Sequence, residues 1–183
     1  MRFFSVHTWM GTVLVAAQTE PFGLQRVFLP DRPQGQEPSG VSETIDTPVL
    51  DFDFQQCPRA MAVTKMIHDY FEFCRPIATP WQWLSPVRLT PLQQQVLHLT
   101  AEIPCGQVRS YRDIAVKLGK PGAARFVGNT LAANPWPLLI ACHRVVRSNG
   151  ETGGFGGGSL MKKKLLAHES GNKDPVLAHS YSI

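Results

Sequence analysis

The chain has 183 residues, 43% apolar and 17% charged, which is the make-up of a folded globular protein and excludes a disordered one. Its apolar runs fall well short of the ~18 residues of a membrane-spanning helix. Up to Pro86 it carries six Lys/Arg against nine Asp/Glu, a balance of −3, and after Pro86 twelve against five, a balance of +7. Basic charge gathered in one half is the footprint of a nucleic-acid surface, though a solvated basic face would count the same.

The start, "MRFFSVHTWMGTVLVAAQ", pairs an early arginine with an apolar stretch, as a signal peptide does. His7, Thr8 and Trp9 break that stretch, and the alternation through Val13, Val15 and Ala17 reads as a strand, so a cytoplasmic protein is expected. Met10-Gly11 marks a turn, and "GLQRVFLP" supplies another strand. Residues 30–49, rich in Pro, Gly, Ser, Gln and Glu, read as an exposed loop. From Pro58, the apolar residues Val63, Met66, Ile67, Tyr70, Phe71 and Cys74 keep helical spacing and predict an amphipathic helix. A proline-rich connector, "RPIATPWQWLSPVRL", follows. The cysteines at 57, 74, 105 and 142 form no C-x-x-C pair and no zinc-like cluster, so reduced thiols and no metal are expected.

In the second half, Thr90-Pro91 caps a helix that stops near Pro104. Ser110 and Asp113 form a capping box opening "YRDIAVKL", which Gly119 closes. After Lys120-Pro121-Gly122 a further helix reaches Asn134-Pro135, which makes a helix-turn-helix pattern in a basic region. At 100° per residue, Ala123, Ala124, Val127, Thr130 and Leu131 share one side of that helix. Opposite lie Arg125, Gly128, Asn129 and Ala132, a face small enough for close approach to DNA. "LLIACHRVV" follows, in which the aliphatic flanks argue for an inert buried cysteine and the adjacent His143-Arg144 for an ionisable one. The glycine loop "GGFGGG" lacks G-x-x-x-x-G-K-[ST] and suits the wall of a pocket for a flat ring around Phe155. A last helix, capped by Ser159, runs through Leu165 and Leu166 to about Glu169.

"IPCGQVRSY", "AARFVGNTLAANP", "IACHRVV", "NGETGGFGGG" and "KKKLLAHE" stand in the order and spacing of the O6-alkylguanine-DNA alkyltransferases, which residues 90–169 specifically resemble. The resemblance implies an α+β chain, with a small ribonuclease-H-like α/β domain at 1–86 and a winged helix-turn-helix-like domain at 87–183. It implies Cys142 as alkyl acceptor, His143 and Glu169 as its activating partners, and Tyr111 as the phenol near the damaged oxygen and its phosphate. Arg125 would enter the stack that the guanine leaves, with Ala124, Gly128, Asn129, Arg144 and Tyr111 at the DNA and Asn134, Val145, Phe155 and Gly156 around the substrate. The implied partner is double-stranded DNA containing O6-alkylguanine, held through its minor groove by a monomer without cofactor. Two residues depart from the family pattern: Ala141 stands where proline is usual before the cysteine, and Phe155 where tyrosine is common.

Only a thiolate attacks carbon well, and a free thiol has a pKa of about 8.5, so Cys142 needs a base or nearby positive charge. Neighbours on a strand face opposite ways, so Cys142 and His143 need a turn of the chain or a bridging water to cooperate. A non-catalytic helix-turn-helix protein sensing altered bases and a Cys-His hydrolase are the rival readings. The presence of the cysteine speaks against the first, and the basic helix-turn-helix against the second.

Overall fold

A computed structural model describes residues 2–30, 57–85 and 89–171, so most of the loop expected at 30–49 lies outside the described residues. The chain divides into two units, Met1–Ser85 and Pro86–Ile183.

In the first unit β1 (Arg2–Thr8), β2 (Gly11–Thr19) and β3 (Phe22–Phe28) form an antiparallel sheet in chain order. Gly11 makes the first turn at φ +113°, where a Cβ would collide with Pro30. Val13 to Ala17 are all buried, so β2 is covered on both faces rather than alternating inward and outward. Helix α1 (Pro58–Phe73) packs against β1 through Ala60, Val63, Ile67, Tyr70 and Phe71. Met66 and Cys74, expected on the same stripe, are only half-buried. The connector folds back on β3, where the Ser85 amide donates to the Leu24 carbonyl at 3.0 Å.

The second unit begins at α2 (Pro91–Ala101), whose capping box joins Thr90 and Gln93. Strand β4 (Arg109–Ser110) runs straight into α3 (Tyr111–Lys117), because Ser110 both ends the strand and caps the helix in its box with Asp113. Gly119, at φ +73°, follows the end of α3. Helix α4 (Ala124–Ala132) packs on α3 and α2 through Val127, Thr130 and Leu131. Strand β5 (Val145–Val146) pairs in parallel with β4, Arg109 opposite Val145 and Ser110 opposite Val146. In this parallel pairing Tyr111, the residue after β4, lies level with Arg147, the residue after β5. Helix α5 (Gly158–Glu169) closes the unit. Its N-cap position is held by Gly157, two residues before Ser159, the expected cap, which sits inside the first turn; Gly158 between them has φ +83°. The fold is thus mixed α and β, with five α-helices and two small sheets among the described residues.

Candidate active site

The segment between α4 and β5 is buried from Leu138 to Val146. Leu138 is held at φ +72°, a region that residues with a Cβ rarely occupy, and its own burial helps to keep it there. Cys142, His143 and Arg144 then form one turn of 3-10 helix, not the extended chain a strand reading would give. With three residues per turn, successive side chains leave the axis about 120° apart, so the three neighbours reach three different surroundings.

Asn134, at the end of α4, faces the first of them. Its side-chain amide donates to the Ile140 carbonyl at 3.1 Å and to Cys142 Sγ at 3.2 Å, while its carbonyl accepts from the Trp136 amide at 3.0 Å. Asn134 therefore fixes the loop and touches the sulfur itself. Burial pushes the Cys142 thiol above its ordinary range, and the Asn134 hydrogen bond and the Lys162 charge pull it back only in part. At rest the sulfur carries its proton, so any reaction through it needs a base.

The second side chain supplies one. His143 is fully buried, with Nε2 2.8 Å from Glu169 Oε1 at the end of α5. Burial depresses the imidazole, with the Glu169 carboxylate opposing that and the Arg144 and Lys162 charges adding to it. The carboxylate itself is held far below its ordinary range: burial opposes ionisation, but the His143 and Arg144 hydrogen bonds and charges outweigh it. An ionised carboxylate can only accept, so Nε2 carries the imidazole hydrogen and the Nδ1 lone pair is the basic position.

Arg144, expected at the DNA, is buried instead. Its Nε lies 2.9 Å from Glu169 Oε2, its Nη2 2.9 Å from Oε1, and its Nη1 donates to the Ile103 carbonyl at 2.6 Å. The third direction of the 3-10 turn points inward, and a guanidinium there is tolerable only because it meets a carboxylate fork to fork.

Tyr111 stands across the β4–β5 pair. Its hydroxyl lies 3.4 Å from the Gly154 carbonyl, and burial followed by the Cys142 charge raises its pKa, so it remains a proton donor. A Cβ on Gly128 would stand 3.8 Å from the Tyr111 ring, and one on Gly153 would meet the hydroxyl at 2.9 Å. Gly128, expected to face DNA, thus also lies beside the phenol ring, where a Cβ would make ordinary contact. Phe155 sets its ring edge-on to His143 with centroids 6.4 Å apart, and a Cβ on Gly156 would meet nothing within 4 Å. Val145 is buried, and its carbonyl accepts 2.6 Å from Lys162 Nζ. Lys162 also lies 3.4 Å from the Tyr111 hydroxyl and 3.4 Å from the Gly154 carbonyl. Burial brings its pKa down to about 8. Sequence reasoning passed over this lysine within the run Lys162-Lys163-Lys164; the signal that could have found it was its spacing with Leu165, Leu166 and Glu169, which sets all four on one helix face. On α4, Arg125, Asn129 and Ala132 are exposed and Ala124 is half-buried. Among the described residues no three His, Cys, Asp or Glu side chains gather to hold a metal.

These features define a protein whose second unit combines a helix with an exposed arginine, a buried thiol, a histidine–carboxylate pair and a phenol. Residues 91–171 match the family described as 6-O-methylguanine DNA methyltransferase, DNA binding domain. The chain is 48% identical over 80 residues to a methylated-DNA–protein-cysteine methyltransferase of Salmonella typhimurium, which is 44% of this chain and 47% of that protein. It is 43% identical over 83 residues to a protein of the same name from Mycobacterium tuberculosis, 45% of this chain and 50% of that one. The matched stretch thus spans about half the length of these relatives. The fold is similar to the crystal structure of Mycobacterium tuberculosis OGT in complex with DNA, with a TM-score of 0.72 at 26% identity, over 97% of this chain and 98% of that one.

Proposed function

We propose that the protein repairs DNA by moving the alkyl group of an O6-alkylguanine onto Cys142, once per chain. In this reading the first unit is the small ribonuclease-H-like α/β domain and the second a winged helix-turn-helix-like domain that approaches DNA through the minor groove as a monomer. One observation carries the proposal: a buried Cys142 thiol is bonded by Asn134, with a histidine–carboxylate pair on the next side of the same turn and a protonated phenol across the strand pair.

The target carbon is covered inside a duplex, so the guanine must be rotated out at a cost of roughly a few kcal/mol. Arg125, exposed among small residues, can occupy the gap. His143 takes the thiol proton at Nδ1 through a bridging water, and Glu169 stabilises the resulting imidazolium. The thiolate attacks the alkyl carbon, the carbon–oxygen bond breaks, and its electron pair stays on the guanine. Tyr111 supplies the proton that neutralises the departing base, with the Lys162 ammonium beside it to offset the charge left on the phenol. The product thioether has no carbonyl for water to attack, so the thiol does not return. Mass spectrometry after mixing with alkylated duplex tests this. One alkyl group per chain on Cys142, with none on Cys57, Cys74 or Cys105, is expected, and repair of several substrates by one chain would overturn the proposal.

A further inference from the structure

We propose that Arg144 is a positioning residue that holds Glu169 as a fixed anion and keeps His143 a neutral base, with Nδ1 as its unprotonated nitrogen. The inference rests on the alkyl-transfer reading only for the identity of the thiol's reaction. Glu169 Oε1 receives His143 Nε2 at 2.8 Å and Arg144 Nη2 at 2.9 Å; Oε2 receives Arg144 Nε at 2.9 Å and the Gly106 amide at 3.1 Å. A carboxylate has about four acceptor positions, and four donors fill them here. A protonated Glu169 would aim a hydrogen at one of those donors, so the carboxyl has no place for a proton. The proton that leaves Cys142 therefore stops on the imidazole.

The charges that face His143 divide by sign. Glu169, from α5, favours the imidazolium, and so would a Cys142 thiolate on the same turn. Arg144, also on that turn, and Lys162, from α5, oppose it, and the Phe155 ring stands edge-on to it. Without Arg144, His143 would be the one charged partner of Glu169, beside the neutral Gly106 amide, and the pair would become a standing imidazolium–carboxylate. A histidine already protonated cannot take the thiol's proton. The guanidinium thus divides the carboxylate's pull, and its third bond, to the Ile103 carbonyl, prevents it from swinging away.

The experiment combines a wild-type measurement with two variants. Nitrogen-15 NMR of the wild-type chain should find His143 as the neutral Nε2–H tautomer at neutral pH. In single-turnover alkyl transfer, Arg144→Met should move the acid limb of the pH–rate profile upward, and a limb displaced by about one pH unit lowers the acid-side rate about tenfold. Arg144→Lys, which keeps the charge without the fork, should return the limb toward its wild-type position at a lower plateau. A wild-type His143 that is imidazolium at neutral pH overturns the proposal whether or not the variants fold. Variants that lower the rate at every pH without moving the limb overturn it as well, since that is the signature of a merely structural arginine. The NMR measurement needs no alkylated DNA, so failure of alkyl transfer with the expected tautomer would sink the repair reading and leave the role of Arg144 standing.

Discussion

Replacing Glu169 with Gln changes one atom and leaves the side chain's shape. The amide keeps a carbonyl acceptor but turns an NH2 toward one of the donors now bonded to the carboxylate: His143 Nε2, Arg144 or the Gly106 amide. It also leaves the Arg144 guanidinium, 6% exposed, without the charge that compensates its burial. Breaking a buried ion pair from one side costs about 3–5 kcal/mol. For a chain of this length that lowers Tm by about 6–20 °C. The pH dependence has a definite sign. The folded-state pKa of Glu169 lies far below its unfolded value, so its stabilisation is fully present above the ordinary carboxylate range and is lost as pH falls below it. The difference in Tm between wild type and Glu169→Gln should therefore be widest near neutrality and shrink on acidification below about pH 4. Thermal unfolding followed by circular dichroism at several pH values measures both. A variant that melts within about 2 °C of wild type at neutral pH, or a difference that does not change with pH, would refute the assignment of Glu169 as a buried, doubly paired anion.

Arg125→Ala should lose repair chiefly on matched duplex, where extrusion of the base needs support, and less on mismatched or single-stranded alkylguanine; equal losses in single-turnover rates on all three would reduce Arg125 to a phosphate contact. Ala141 has φ −76°, within the range of proline, so Ala141→Pro should raise stability by about 0.4–1 kcal/mol, read from denaturant melts, and a lower midpoint would show that the backbone around it resists the ring. Lys162→Met should slow transfer and remove a decline on the alkaline side, because Lys162 gives up its charge near pH 8 in the native protein; a pH–rate profile that keeps its alkaline limb would exclude this ammonium from the chemistry. Cys142→Ala should abolish transfer while leaving DNA affinity largely intact, as measured by fluorescence anisotropy, since the buried sulfur presents almost no surface.

Much of the second unit was legible because its signals are local. Thr90 with Gln93 and Ser110 with Asp113 each close a capping box within four residues, and such contacts do not depend on the rest of the fold. Ser159 misled for the same local reason: a hydroxyl before an apolar run is a good cap unless a glycine ahead of it can already enter the helix. The network around Cys142 was less legible because it joins residues 103, 106, 134, 142–144, 162 and 169, distances no local pattern encodes. Reading "ACHRVV" as extended puts Cys142 and Arg144 on one face and His143 on the other. The 3-10 turn distributes all three, and the arginine goes inward.

The inward turn of Arg144 barely alters the charge that the second half shows to its surroundings. Arg144 and Lys162, both counted in the +7 of that half, are buried, but Glu169 is buried with them. Setting the three aside leaves +6. A net positive surface on this half is therefore compatible with a site that also needs two interior cations. The interior cations and the exterior ones are set for different tasks. Arg125 is exposed, so its contribution to DNA affinity should weaken with added salt. Arg144 and Lys162 act within a few ångströms in surroundings that exclude water and ions, where screening is weak. Added salt should consequently weaken binding of the duplex while leaving the rate of transfer in the bound complex nearly constant, and that separation can be read by measuring both at two salt concentrations. A transfer rate that fell in step with affinity would mean the interior charges are reached by solvent, against the burial described for them.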